Sequence, residues 1–149
     1  MPGIVLDDSE AELAGTWSRS TNFKPYVENG YIYCGEPDSK SKGDGKTTAT
    51  FRFKAPKSSR YQLLMAYSAH ESRAKNVPVT VSSGDFQMSF EVDQTKPLPS
   101  GEHFRPVASV DLRANVETVI EITNADTTGF VIIDALQLLP EETETIKEE

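Results

Sequence analysis

Apolar and polar residues alternate with a period of two through most of this chain. Between 61 and 68, Tyr61, Leu63, Met65 and Tyr67 alternate with Gln62, Leu64, Ala66 and Ser68. Val77, Val79 and Val81 repeat the pattern, as do Phe86, Met88, Phe90 and Val92 against Gln87, Ser89 and Glu91. Earlier, Ala49, Phe51 and Phe53 alternate with Thr48, Thr50, Arg52 and Lys54. A period of two sends successive side chains to opposite faces of a pleated strand, so each segment predicts a strand with one face on a core. Ser83-Gly84 predicts a hairpin, because glycine tolerates the positive φ of tight turns. Further strands are predicted at 4–6, 15–20, 107–112, 118–123 and 130–139, the last nearly all apolar and stopped by Pro140. Turns are predicted at Ala114-Asn115 and at 124–129, and exposed loops at 37–45 and 96–101. Residues 10–14 hold at most one helical turn.

About nine or ten short strands at spacings of about ten residues predict an all-β chain, an antiparallel β-sandwich. Its expected core includes Phe51, Phe53, Leu63, Met65, Phe86, Met88, Phe90, Ile120, Ile122, Ile133 and Leu136. The 149 residues are one domain's worth, read as a single module over 1–140 and an acidic tail over 141–149 with five Glu and one Lys. Met1-Pro2-Gly3 leads straight into Ile4-Val5-Leu6, an opening expected of an excised module.

The net charge of −8, from 23 acidic and 15 basic residues, argues against nucleic acid and against anionic membrane surfaces as partners. No apolar run reaches the length of a membrane-spanning helix. A single cysteine, Cys34, excludes an internal disulfide and is read as a small packing residue. Catalytic signatures are missing: there is no Gly-x-Ser-x-Gly, no His-Glu-x-x-His and no phosphate-cradling glycine loop. The expectation is a chain without enzymatic activity.

The polar stretch 69–76 stands out between two strands. Arg73 and Asn76 are suited to hydrogen-bonding sugar hydroxyls, with Tyr67 or His70 as a flat stacking partner. The reading favoured over that one has Arg73 and Asn76 fixing the loop itself, against Asp93 or backbone carbonyls. Among the aromatics Trp17, Phe23, Tyr26, Tyr31 and Tyr33, the tyrosines 26, 31 and 33 are the candidate glycan platform, since flat rings offer apolar faces to sugar C–H groups. Trp17 is read as packed. Asp134 interrupts an apolar run, so its carboxyl needs specific partners.

Several stretches in order carry a resemblance: Asp7-Asp8 with Gly15-Thr16-Trp17, Ala49-Thr50-Phe51-Arg52-Phe53, Tyr61 with Ala66-Tyr67, Arg73 through Val81, Val92-Asp93-Gln94, and Gly129 through Pro140. Together, over 4–140, they resemble the golvesin C-terminal-like domain, also seen as a carbohydrate-binding-module-like domain on xanthan lyases. The resemblance implies a jelly-roll sandwich that is non-catalytic and appended to a larger bacterial enzyme, with C-terminal modules of FAD-dependent oxidoreductases the nearest look-alikes. It implies a polysaccharide or glycan as ligand, other domains of a parent enzyme as partners, and an extracytoplasmic or cell-surface location. A purely structural or assembly module without a ligand is the alternative.

No cofactor is implied beyond a structural calcium ion. Jelly-roll binding modules often hold one with carboxylates of the first and last strands, here Asp7, Asp8 and Asp134. One departure is clear: where relatives carry a Trp followed by Leu-Gly, this chain has Phe104, expected to take over the packing. The net charge favours a neutral or only weakly acidic sugar unless Lys40, Lys42, Lys46 and Lys75 gather into a basic patch.

Overall fold

The computed structural model describes residues 3–20, 30–35, 43, 45–67, 69, 73–96 and 104–141. Among these the chain forms twelve strands and one 3-10 turn. The strands are β1 (Ile4–Asp7), β2 (Glu12–Ala14), β3 (Ser18–Ser20), β4 (Tyr31–Cys34), β5 (Thr48–Lys54), β6 (Ser59–Ala66), β7 (Val77–Ser83), β8 (Phe86–Val92), β9 (Arg105–Leu112), β10 (Glu117–Thr123), β11 (Val131–Ile133) and β12 (Ala135–Pro140). The 3-10 turn, Asp8–Glu10, follows β1 directly. It stands near the helical turn expected at 10–14, where the chain instead makes β2.

Three antiparallel sheets result, in the orders β1-β12-β6-β9, β2-β5-β10-β7-β8 and β11-β4-β3. The architecture is the expected β-sandwich. Inward residues of the two larger sheets meet in one core, with Tyr61, Leu63, Met65, Leu136 and Leu138 from one and Phe51, Val79, Val81, Ile120 and Ile122 from the other. Register explains the packing: Ile120 pairs with Phe51 on one side and Val81 on the other, so one row of apolar side chains crosses three strands. Burying each such side chain contributes roughly 1.5–3 kcal/mol. The β7–β8 hairpin closes at Gly84, whose φ is +59°, and Ser83 pairs with Phe86.

Three departures from simple alternation matter. Phe86, Met88 and Phe90 are only partly buried, because β8 is an edge strand, and Phe53 near the end of β5 is likewise partly open. Leu64 and Ala66, on the polar side of the β6 pattern, are buried in a second apolar cluster with Phe104 and Ala135. Phe104 thus packs as anticipated. The last strand is not continuous: Asp134 breaks it into β11, which pairs with β4, and β12, which pairs with β1 and β6. The break lets one apolar run serve two sheets.

Candidate functional site

The small sheet β11-β4-β3 organises the chemistry. Paired residues of antiparallel strands share a face. Ser18 pairs with Tyr33 and Tyr33 with Ile132, while Arg19 pairs with Ile32 and Ile32 with Ile133. Ser18, Tyr31 and Tyr33 therefore share one face with Ile132, and Arg19 lies on the other.

On the first face Tyr33 meets Phe130 edge to face, with centroids 5.5 Å apart and planes at 89°. Tyr31 lies 6.4 Å from Tyr33. Arg73 sits over the Phe130 ring at 5.8 Å, a cation–π distance, and its side chain hydrogen-bonds that of Tyr31. Burial pulls the Arg73 pKa below its ordinary value, and Tyr31 opposes the shift. The backbone joins in, since Ala74 N–H donates to Phe130 C=O at 2.8 Å. Tyr33 and Phe130 remain partly exposed, whereas Tyr31 and Arg73 are buried. The result is a partly exposed ring pair, packed against the core and backed by a buried cation.

This layout corrects three expected ligand contacts. Tyr31, at 2% exposure, is a support for the rings and offers no free face. Tyr67 is fully buried; its hydroxyl donates to Lys96 C=O at 2.7 Å and accepts from Arg105 at 2.9 Å. Arg73 is inside, so its role is to hold Phe130 and Tyr31. Asn76 donates to Asp126 C=O at 3.1 Å, fixing its loop to the 124–129 turn. Tyr26 and His70, with Lys40 and Lys42 and tail residues 142–149, lie outside the described residues. Trp17 is packed as expected and donates to both Ala14 C=O and Thr48 C=O.

Beside the second face lies an acidic cluster. Asp7 ends β1, Asp8 begins the 3-10 turn, and Asp134 is the break between β11 and β12. Asp7 pairs with Ala135, and Asp8 N–H donates to Asp134 C=O at 2.7 Å, so strand pairing drives the three together. One carboxylate oxygen from each lies within 4.8 Å of the others, and all three residues are buried. Asp7 Oδ2 accepts from Ser9 N–H and Oγ–H, while Glu10 reaches back to Asp7 N–H in a capping box. Asp8 Oδ2 accepts from Arg19 at 2.8 Å.

Asp7 Oδ1 and Asp8 Oδ1 are buried and accept no hydrogen bond. Leaving such atoms bare costs free energy, unlike the usual pairing of buried polar groups. Burial, then the neighbouring Asp7 charge, pushes the Asp8 carboxyl up to about 6 from 3.8, against the opposing pull of Arg19. Three buried carboxyl groups lie together, and Arg19 pairs with one of them, Asp8: an all-oxygen donor set suited to a hard divalent cation.

Phe130 and Arg19 were not singled out in the sequence. Phe130 follows Gly129 at the start of an apolar run and reads there as core. Arg19 lies between two serines in a strand too short to show a period.

Residues 4–140 match the sequence model of the Golvesin C-terminal domain family. No curated protein matches the chain. Among solved structures, a Paenibacillus xanthan lyase is 26% identical with a TM-score of 0.78, covering 92% of this chain and 13% of that one. A family 35 carbohydrate-binding module (CBM35) from Paenibacillus barcinonensis is 15% identical with a TM-score of 0.61, covering 93% and 100%. A Podospora anserina GH26-CBM35 β-(1,4)-mannanase is 22% identical with a TM-score of 0.59, covering 93% and 27%. The chain thus spans a small part of the enzymes among these structures and the full length of the separate module.

Proposed function

The chain belongs to the Golvesin C-terminal domain family, and on that premise we propose that it is a non-catalytic carbohydrate-binding module of a larger enzyme. The observation that carries this reading is the partly exposed Tyr33–Phe130 pair, held by buried Arg73 and flanked in register by Ser18. A sugar has an apolar face and a rim of hydroxyls. The partly exposed ring pair offers a surface to the first, and the Ser18 hydroxyl, opposite Tyr33 in register, offers a partner to the second. Likeness of fold to carbohydrate-binding modules supports the same reading.

Asp7, Asp8 and Asp134 would hold a calcium ion, which supplies charge balance at the junction of β1, β11 and β12. The role is structural: the ion would fix the β11–β12 break, and through β11 the approach to Phe130. Burial pushes the Cys34 thiol up to about 12, so this residue is not a thiolate nucleophile at neutral pH. The parent is read as a polysaccharide-degrading enzyme or an FAD-dependent oxidoreductase. A single module of this kind binds weakly, with Kd on the order of 0.1–1 mM, and gains avidity from its parent.

The test is affinity electrophoresis of the isolated chain against neutral and acidic polysaccharides, in calcium and in chelator. Retardation by at least one polysaccharide is expected. No retardation by any would favour the purely structural module.

A further inference from the structure

We propose that Arg19 is a built-in competitor for the cation site, supplying part of its positive charge and setting how tightly the site holds a divalent ion. The inference rests on the cation-site reading above and concerns a residue outside the ligand set. Arg19 reaches from the edge strand β3 and places its guanidinium 2.8 Å from Asp8 Oδ2. The two partners differ sharply in environment: the Arg19 side chain is 53% exposed and the Asp8 side chain 1%. Arg19 therefore approaches the carboxylate from the solvent side. Asp8 Oδ1 and Asp7 Oδ1 are buried and accept no hydrogen bond.

Charge gives the consequence. The Arg19 guanidinium brings one positive charge to a cluster of three carboxyl groups that a divalent ion would share. Without the guanidinium the same ion meets one more uncancelled negative charge and is held more tightly. Repulsion within the ion-free cluster rises at the same time.

Arg19 thus has two effects of opposite sign. It stabilises the ion-free fold and weakens ion binding. A purely structural salt bridge would show only the first, lowering the melting temperature with and without the ion when removed and leaving affinity unchanged. This difference makes the role testable.

The experiment is calorimetric titration of chelator-treated protein with calcium chloride, for wild type, Arg19→Gln and Arg19→Lys, with thermal melts in chelator. Arg19→Gln should bind calcium about tenfold more tightly, equivalent to about 1.4 kcal/mol, and melt lower in chelator. Arg19→Lys keeps the charge and should stay near wild type in both. Equal or weaker calcium binding by Arg19→Gln, or an unchanged melting temperature in chelator, would overturn the proposal. If neither wild type nor Arg19→Gln binds calcium or magnesium, the cation-site reading fails and takes this inference with it.

Discussion

Gln94 is the residue whose loss should be felt most widely. It is fully buried, and its side-chain amide completes the outer edge of β11. Nε2 donates to Ile132 C=O at 2.8 Å, and Oε1 accepts from Ile132 N–H at 2.8 Å. The amide imitates a neighbouring strand, pairing both groups of one residue. Its own N–H donates to Ala74 C=O at 2.9 Å, which ties β11 to the segment carrying Arg73. Gln94→Ala leaves a buried N–H and a buried C=O without partners. Each unsatisfied group costs about 1–3 kcal/mol, and the small cavity adds to that, so the variant should lose about 3–5 kcal/mol. That is a large share of a typical domain stability of about 5–15 kcal/mol. Gln94→Glu should do no better, since a carboxylate cannot donate to Ile132 C=O. The assay is urea unfolding followed by the fluorescence of Trp17, the only tryptophan. A loss below about 1 kcal/mol for Gln94→Ala would refute the claim that this amide holds β11, because it is less than one bare buried group costs.

Other expectations follow from the acidic cluster. In chelator, the raised Asp8 pKa means that the folded state keeps a proton that the unfolded chain has lost between pH 3.8 and about 6. Stability should therefore fall as pH rises through that window, by at most about 3 kcal/mol. Asp8→Asn should flatten the slope in thermal melts; parallel curves for the two proteins would contradict it. Asp134→Ala should destabilise the fold by about 1–3 kcal/mol in urea unfolding and abolish any rise in melting temperature on adding calcium. An unchanged melting temperature in both conditions would count against the assignment.

Much of the sandwich was legible because alternation survives wherever one strand face meets the core. Phe51, Leu63, Met65, Ile120 and Ile122 are buried as that pattern requires. The short strands were harder. β4 lies in a stretch dense with aromatics and turn residues, and four residues cannot display a period. The apolar run at the end of the chain read as one strand because both its halves are buried. Only pairing partners reveal that Asp134 divides it between two sheets.

The candidate site was half legible. Asp7, Asp8 and Asp134 lie together, a grouping that came from the likeness to jelly-roll modules, whereas the apolar run around Asp134 showed only that its carboxyl needs partners. The rings were misassigned at Tyr31 and Tyr67, whose hydroxyl groups made them look suited to a wet surface. Both instead serve buried hydrogen bonds, Tyr31 with Arg73 and Tyr67 with Lys96 and Arg105. Phe130 and Arg19 gain their roles from cross-strand neighbours, which no local pattern encodes.

The most direct test of the account is a side-by-side calorimetric titration of wild type, Tyr33→Ala and Phe130→Ala with an oligosaccharide cut from whichever polysaccharide retards the chain. Melting curves would establish that each variant is folded. Wild type should bind with Kd on the order of 0.1–1 mM, and each folded ring variant should lose tenfold or more, since an aromatic contact of about 1–1.5 kcal/mol is removed along with its buried area. Unchanged affinity in both folded variants would contradict the assignment of Tyr33 and Phe130 as the sugar-binding face.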